Sequence, residues 1–409
     1  MTDHPGNGVS PQLAVLAPRV AALAKGFQDE LVALRRQMHS HPEIGRQEYR
    51  TTGLVAGHLE AAGLSPVVLP NGVGLICDIG PEPSAEVGFV GLRADLDALP
   101  IPDEKDVPYR STIPGVCHAC GHDVHTAALV GAGRVLHELH RTGDLPAPVR
   151  LVFQPAEEST PGGAIDVLDT GVIEGIDRIF ALHCDPRADV GSVGLRVGAI
   201  TGSADHVLVR MTGPGGHTAR PHLTADLTYA LARVVADVPS VLSRRVDPRA
   251  GLSLVWGRII AGGAANVIPQ AGEAEGTVRS LDASAWQQAP RMVEEAVRAV
   301  AAPYLVDVEV SYTRGVPPVV NDEASVAIQR LAAETLFGPF SVYEMEQSLG
   351  GEDFAWYLEK VPGALARIGV RTPGDGRVRD LHQGVFDADE RAIGVGLRLF
   401  VGSALLSVR

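Results

Sequence analysis

Cysteine, positive charge and long apolar runs are all scarce in this sequence. Four cysteines in 409 residues are too few to cross-link a chain of this size, which excludes a secreted disulfide scaffold. Lysine and arginine number 35 against 49 acidic residues, the opposite of the balance expected for a protein that binds nucleic acid. The most apolar stretch, residues 392–406, is interrupted by Arg398, so we expect a buried terminal helix there and no membrane span.

The composition is otherwise that of an ordinary globular protein. A hydrophobic content of 45% with 21% charged residues argues against a disordered chain. At about 150 residues per domain, the length predicts two or three domains. The first residues, MTDHPGNGVSPQ, lack the basic segment and apolar core of a secretion signal, so we expect a cytoplasmic protein.

Helical and strand patterns alternate in the first part of the chain. Apolar positions at helical spacing predict helices over 12–39 and 123–141. The continuously apolar run 87–96 predicts a strand buried on both faces, and two more strands are predicted over 148–158 and 176–186. This alternation predicts an α/β fold with a mixed, mostly parallel sheet between helices.

The pattern changes at about residue 200. Strand and helix patterns then follow in the order β-α-β-β-α-β, which is typical of a split βαβ unit in an α+β domain. Helices and short strands return after the proline-rich segment 315–323. We therefore predict a discontinuous outer domain, 1–200 and 315–409, and an inserted domain over 201–314.

Residue types that bind metals occur at the ends of several predicted elements. Cys120 and His122 lie just before a helix, Glu157 and Glu158 lie at the end of one strand, and His183 lies near the end of another. Sites in open α/β sheets form at the carboxyl ends of strands, so these side chains can converge. A thiolate, imidazoles and one carboxylate suit zinc or a similar transition ion better than magnesium or calcium. Glu158 can bind a metal while Glu157 acts as a general base.

The same residues have other interpretations. Cys117 and Cys120 form a CxxC pair, which is typical of redox proteins and of half a structural zinc site, although no second CxxC or HxxxH follows. Adjacent glutamates are most often a solvated pair. A lone histidine near the C-terminus, such as His382, is more typical of a surface loop.

A series of sequence blocks between about residues 30 and 400 resembles the dinuclear metallopeptidase/amidohydrolase family of aminoacylases, hippurate hydrolases and auxin-conjugate hydrolases. The blocks are, in order, HSHPEIGRQE, LRADLDALPI, CHACGHDVHT, FQPAEE, ALHCDP, GPGGHTARPH, NVIP with GTVR, GGEDF and LHQGVF. The resemblance implies a zinc-peptidase-like catalytic domain with an inserted lid and dimerisation domain. It also implies hydrolysis of the amide bond in N-acyl amino acids or related conjugates, giving a carboxylic acid and a free amino acid.

The resemblance implies two divalent metal ions per chain, Zn²⁺ or Mn²⁺, with Co²⁺ or Ni²⁺ as alternatives. The implied ligands are Cys120, His122, Glu158, His183 and His382. Cys120 stands where related peptidases have a bridging aspartate, which implies a bridging thiolate. His122 and Glu158 would then bind one ion, and His183 and His382 the other.

The resemblance also implies the catalytic groups. Glu157 would be the general acid and base that acts with metal-activated water, and Asp97 would orient a metal ligand, with Asp95 as an alternative. His217 matches the inserted-domain histidine that stabilises the oxyanion in the partner subunit's active site in family dimers. The implied assembly is thus a homodimer formed through the inserted domain.

Asn266 and Arg279 match positions that hold the substrate, and arginine suits the recognition of a carboxylate. The sequence departs from the family pattern at Cys117, Gly351 and Gly384, where methionine, serine and proline are usual. None of these departures removes a ligand.

Besides a CxxC redox protein, which loss of function on Cys117→Ser with Cys120 intact would support, two alternative functions remain from the sequence. The first is a dipeptidase or carboxypeptidase that acts on short peptides, which activity on dipeptides would distinguish. The second is a ligand-binding or zinc-binding protein without turnover, although the presence of Glu157 beside a full ligand set argues against it.

Overall fold

The computed structural model describes residues 10–407. Most of the N-terminal segment on which the cytoplasmic prediction depends lies outside these residues. The α-helices are α1 (Pro11–Ser40), α2 (Tyr49–Ala61), α3 (His122–Arg141), α4 (Ala164–Leu168), α5 (Leu227–Arg245), α6 (Ala283–Ala301), α7 (Glu323–Phe337), α8 (Ala355–Leu358) and α9 (Arg391–Leu406). The strands are β1 (Val67–Val68), β2 (Leu75–Ile79), β3 (Phe89–Asp95), β4 (Val149–Gln154), β5 (Ile176–Asp189), β6 (Val193–Leu195), β7 (Gly198–Ala199), β8 (Ala204–Thr212), β9 (Gly216–His217), β10 (Ser253–Ala261), β11 (Val267–Ile268), β12 (Ala271–Arg279), β13 (Asp307–Val316), β14 (Val320–Asn321), β15 (Val342–Glu344) and β16 (Gly363–Arg371).

The described chain divides into two compact units. The first runs to Gly198 and resumes over Val320–Glu346 and from Trp356 onward, and the second comprises Ala199–Val319 and Gln347–Ala355. The sequence predicts that all of 315–409 belongs with the outer domain, whereas residues 315–319 and Gln347–Ala355 cluster with the second unit. The Ser348 N–H, in the second of these segments, donates to the Ile200 carbonyl at 2.9 Å.

The first unit is built on an eight-stranded sheet in the order β1-β2-β4-β3-β5-β16-β6-β15. The β4–β3, β3–β5, β5–β16 and β6–β15 pairs are parallel, and the other pairs are antiparallel. Every residue of β3 is buried, as expected for a continuously apolar strand covered on both faces. The predicted α/β class with a mixed, mostly parallel sheet is confirmed.

Helices α1, α3 and α9 pack closely together in this unit. A Cβ on Gly131 of α3 would lie 2.5 Å from Leu397 Cδ1 and 2.6 Å from Leu31 Cδ1, so glycine permits the close approach. Helix α9 is the terminal helix predicted from residues 392–406, and much of its apolar surface is buried. Of the helices described here, none combines the length and apolarity needed to cross a bilayer.

The second unit contains a four-stranded antiparallel sheet in the order β10-β12-β8-β13. Alternate residues of β8, including Val207 and Val209, are buried with apolar residues of α5 and α6. Strand β10 forms one edge of this sheet, and the side chains of Val255, Ile259 and Ile260 are 63%, 53% and 50% exposed. A long edge strand with exposed apolar side chains is a typical site for pairing with another chain.

Candidate metal centre

A tight turn before α3 positions the first two candidate ligands. Gly121 has φ 87°, in the left-handed region, and His122 is the first residue of the helix. A Cβ on Gly121 would lie 2.6 Å from the Cys184 sulfur, so both the backbone angle and the available space require glycine here. The turn places Cys120 and His122 beside the strand that carries His183.

His183 lies within β5, which continues to Asp189, beyond the end at residue 186 that the sequence predicts. Strand β3 pairs with β5 only as far as Arg93 opposite Ala181, whereas β16 continues the pairing past His183. His183 therefore lies beyond the last residue of β5 that pairs with β3, with its Nδ1 atom 2.8 Å from the Cys184 carbonyl. That contact directs Nε2 towards Cys120 Sγ, which is 3.4 Å away.

The structure brings all five sequence-predicted ligands together in two groups that share Cys120. The ligand atoms of Cys120, His122 and His183 lie within 4.8 Å of one another, as do those of Cys120, Glu158 and His382. His382 Nε2 is 3.2 Å from Glu158 Oε1. The two groups that share Cys120 place His183 with His122 and His382 with Glu158, whereas the resemblance implies His122 with Glu158 and His183 with His382. The ligand atoms of His122 and Glu158 also lie within 4.8 Å of each other.

His382 reaches the centre from a constrained loop. Its φ is 60°, a left-handed value that is uncommon outside glycine, and its backbone N–H donates to the Ala119 carbonyl at 2.8 Å. The hydrogen bond ties the C-terminal loop to the segment that carries Cys120. His382 is exposed, as expected for a histidine in a surface loop, but it is not isolated, because its Nε2 lies beside Glu158.

The surroundings of His122 test whether a cation fits. Its side chain is buried, and no hydrogen-bond partner for Nε2 occurs among residues 10–407. Nε2 lies 3.9 Å from Glu157 Oε2 and 3.9 Å from Glu158 Oε1. Leaving a buried polar atom without a partner is costly, and these separations are too long for hydrogen bonds, so carboxylate oxygens line the space beside Nε2. The donor set therefore fits a divalent cation.

The charges at the centre lead to the same conclusion. Burial raises the pKa of the Cys120 thiol well above its usual value, and the carboxylates of Glu158 and Glu157 raise it further. Burial alone would lower the pKa of His122, but Asp95 and Asp97 raise it to about 10. Without a cation, the thiol is therefore neutral and the imidazole charged, so metal binding would displace protons from both.

Asp97 contacts two of the candidate ligands at once. Its Oδ1 lies 3.2 Å from His122 Nδ1, and its Oδ2 accepts the backbone N–H of Glu158 at 2.9 Å. Asp95, the alternative, instead accepts hydrogen bonds from His125 at 2.7 Å and Arg93 at 2.8 Å. The geometry favours Asp97 as the residue that orients ligands.

Sequence reasoning missed several residues that support the centre. His125 is not among the site residues predicted from the sequence, yet its Nε2 accepts the Cys184 N–H at 2.9 Å beside His183. Asp123 is fully buried and lies 2.7 Å from both Arg35 Nε and His39 Nδ1, which ties α3 to α1. The spacing of His122 and His125 on one face of a helix was the available signal for His125. Nothing local in the sequence indicates the pairing with Arg35.

The remaining predicted residues lie in the second unit. His217 in β9 pairs with Val267 in β11, and its Nδ1 accepts the Ala219 N–H at 3.0 Å, so Nε2 carries the proton. Asn266 adjoins His217 because its carbonyl accepts the Thr218 N–H at 3.2 Å. Arg279 ends β12 and donates to the Leu349 carbonyl, so its backbone partner belongs to the same unit.

Comparison with known proteins gives one family and several relatives. The family described as "Peptidase family M20/M25/M40" matches residues 91–405. A "Putative glutamate--cysteine ligase 2-3" of Rhodococcus jostii is 50% identical over 374 residues, which are 91% of this chain but only 46% of that protein. An "N-acetyl-L-cysteine deacetylase" of Bacillus subtilis is 37% identical over 369 residues, 90% of this chain and 85% of that one.

A solved structure agrees with the fold and with the kind of centre. The YXEP protein of Bacillus subtilis, described as a dinuclear metal binding peptidase from the M20 family, superposes with a TM-score of 0.80 at 32% identity. The match covers 93% of this chain and 98% of that protein.

Proposed function

This chain belongs to the peptidase family M20/M25/M40, and we propose from that premise that it is an amidohydrolase that depends on two divalent metal ions. Its reaction is hydrolysis of the amide bond of an N-acyl amino acid to a carboxylic acid and a free amino acid. The observation that carries the proposal is the convergence of five metal-binding side chains with Glu157, whose Oε2 lies 3.9 Å from His122 Nε2.

The ligand groups assign the residues that would hold the ions. His122 and His183 would hold one ion and Glu158 and His382 the other, and Cys120 belongs to both groups of ligands. When bound, the ions supply positive charge that polarises the acyl carbonyl and promotes ionisation of water. The physiological metal is zinc or manganese in this proposal, since thiolate and imidazole suit a transition ion.

Glu157 is the general acid and base. Its side chain is only 9% exposed, so bulk water competes little for the proton that it takes from the attacking water. Returning that proton to the departing amine completes the cycle, as one residue can act first as a base and then as an acid. His217 Nε2–H donates a hydrogen bond to the developing oxyanion.

The substrate's own carboxylate needs a separate binding group. Arg279 and Asn266 would hold it, because a guanidinium binds a carboxylate with two parallel hydrogen bonds. Assay of a panel of compounds identifies the acyl group and the amino acid. N-acetylcysteine belongs among the first compounds, since the N-acetyl-L-cysteine deacetylase shares 37% identity with this chain.

A substrate panel tests the activity. N-acetyl, N-benzoyl, long-chain acyl and indole-acyl amino acids, together with dipeptides, are assayed for released amine with Zn²⁺, Mn²⁺ and Co²⁺ in turn. Hydrolysis of acyl amino acids supports the proposal, and a preference for dipeptides favours the peptidase alternative. Metal binding without any turnover would instead favour the alternative of a zinc-binding protein that is not an enzyme.

A Glu157→Ala variant tests the role of the base. Removing general acid and base catalysis should lower kcat by roughly 10²- to 10⁴-fold with little change in metal content. Glu309→Ala, at an exposed position in β13, is the matched control and should keep full activity. Near-normal turnover by the Glu157 variant would contradict the assigned role.

We further propose a homodimer formed along β10. Exposed Ile259 and Ile260 on an edge strand support pairing with a second copy. Ile259→Lys should shift the sedimentation coefficient from dimer to monomer. If His217 acts in the partner's site, mixing inactive Glu157→Ala and His217→Ala proteins should restore activity through mixed dimers, and no restoration would contradict it.

The cytoplasmic location stays a prediction, which cell fractionation would test.

A further inference from the structure

The turn that carries Glu157 and Glu158 has an unfavourable backbone conformation. Ala156 has φ 57°, in the left-handed region that residues with a Cβ rarely adopt. The chain turns here directly after β4 ends at Gln154. Since both glutamates follow this residue, any relaxation of Ala156 would move both carboxylates away from the centre.

A buried glutamate from a distant part of the sequence contacts this turn. Glu48 Oε1 accepts the Ala156 N–H at 2.7 Å, across 108 positions of sequence. The Glu48 side chain is buried, and its Oε2 has no hydrogen-bond partner in the part of the chain that the structure describes. Burying a carboxyl group is costly, and the Glu48 carboxyl is held here by backbone N–H groups, so its contact with Ala156 is unlike an incidental surface hydrogen bond.

The other backbone groups around Ala156 are engaged as well. Its carbonyl accepts the Gly163 N–H at 2.8 Å. The segment before Glu48 packs against the same turn, since a Cβ on Gly45 would lie 2.6 Å from Ser159 Oγ and 3.1 Å from Ala156 Cα. The turn is therefore enclosed, and Glu48 Oε1 is the acceptor for its Ala156 N–H.

We propose that Glu48 is a positioning residue that holds the left-handed turn at Ala156, and thereby places Glu158 to bind metal and Glu157 to transfer a proton. The part that concerns Glu157 depends on the proposed function, whereas the part that concerns Glu158 depends only on metal binding. Residue 48 must be long enough to reach the Ala156 N–H and must offer a hydrogen-bond acceptor, whereas a negative charge is not required.

Three substitutions separate these properties. Glu48→Gln keeps the length and the acceptor oxygen but loses the charge, Glu48→Asp keeps the charge but is one methylene too short, and Glu48→Met keeps only the bulk. Zn²⁺ affinity is measured by competition with a chelator, and kcat and KM are measured at saturating metal.

We expect Glu48→Gln to stay close to wild type. Glu48→Asp and Glu48→Met should lose roughly 10- to 100-fold in affinity for one of the two ions, as is typical when a partner of a ligand is removed. They should lose about as much in kcat with KM little changed, because a small displacement of a catalytic group is enough to slow turnover.

Rescue by glycine tests the mechanism directly. Glycine adopts a left-handed φ without a steric penalty, so Ala156→Gly in the Glu48→Asp background should recover most of the lost metal affinity and kcat. Ala265→Gly, in an exposed segment of the second unit, is the matched control and should recover neither.

The outcomes are distinguishable. The proposal is overturned if Glu48→Asp keeps wild-type affinity, if Glu48→Gln loses as much as Glu48→Asp, or if Ala156→Gly gives no rescue. If Glu48→Met fails to fold, the comparison of Glu48→Asp with Glu48→Gln still tests the proposal. If the wild-type protein hydrolyses nothing, the proposed function fails while the order of metal affinities still supports or overturns the role of Glu48.

Discussion

Replacing Asp97 with asparagine should weaken metal binding although the two side chains have the same shape. Both neighbours of the carboxylate are donors. His122 Nδ1 lies 3.2 Å from Oδ1, and the Glu158 N–H donates to Oδ2 at 2.9 Å. Because His122 Nε2 faces the other candidate ligands, the His122 proton in the metal-bound protein is on Nδ1. An asparagine offers one acceptor, so its NH₂ group must face one of the two donors.

The size of the effect follows from one lost hydrogen bond to a charged group. Such a bond contributes about 1.5–3 kcal/mol, and about 1.4 kcal/mol corresponds to a factor of ten. Asp97→Asn should therefore weaken metal affinity by about 10- to 100-fold, which agrees with the usual effect of removing a residue that orients a metal ligand.

Competition between the protein and a chelator for Zn²⁺ or Co²⁺ measures this affinity without reference to turnover. Asp307→Asn, at an exposed position in β13, is the control for the same chemical change and should bind both ions as the wild type does. Wild-type affinity in the Asp97 variant would refute the reasoning, because the carboxylate would then have no role in orienting His122 and Glu158.

Three further predictions concern stability. Arg35→Met should lower the free energy of unfolding by about 3–5 kcal/mol, because it removes the buried guanidinium beside the fully buried Asp123 and leaves only His39 in contact with that carboxylate. Arg36→Met, at the next position and half exposed, should cost less than about 1 kcal/mol. Burial and the charge of Asp97 raise the pKa of Glu48 from 4.5 to about 7, so in metal-free protein its contribution to stability is complete below pH 4.5 and is lost as the pH rises through 7. Chelation of the metal should lower Tm, since ligands held at about 1,000 times Kd stabilise a protein by about 4 kcal/mol.

Each of these predictions has a measurement that can contradict it. Urea unfolding that shows equal losses for the Arg35 and Arg36 variants would mean that Arg35 is not needed to neutralise Asp123. For Glu48, the difference in unfolding free energy between wild type and Glu48→Gln should fall by up to about 3 kcal/mol between pH 4.5 and 7, and a constant difference would contradict the raised pKa. An unchanged Tm on metal removal would show that the ions do not stabilise the fold.

Local sequence patterns predicted the elements well where one physical signal dominated. The apolar spacing of residues 123–141 predicted α3, which runs over His122–Arg141, and the continuous apolar run 87–96 predicted β3, which is buried throughout. Hydrophobic periodicity is a local property, so it survives without knowledge of the fold. The family resemblance, carried by ordered motifs, supplied the amidohydrolase function and the set of candidate ligands.

The sequence by itself thus determined the class of fold, the family and the residue types that can bind two metal ions. Only the tertiary structure decided which residues meet, because the contacts join positions far apart in the chain. Glu48 reaches Ala156 across 108 positions, and Arg35 reaches Asp123 across 88. The position of His183 beside His122 depends on how many residues of β3 pair with β5, and local propensity does not determine that number. The physical reason is that propensity and periodicity act within an element, whereas burial and hydrogen-bond satisfaction are settled only when elements pack together.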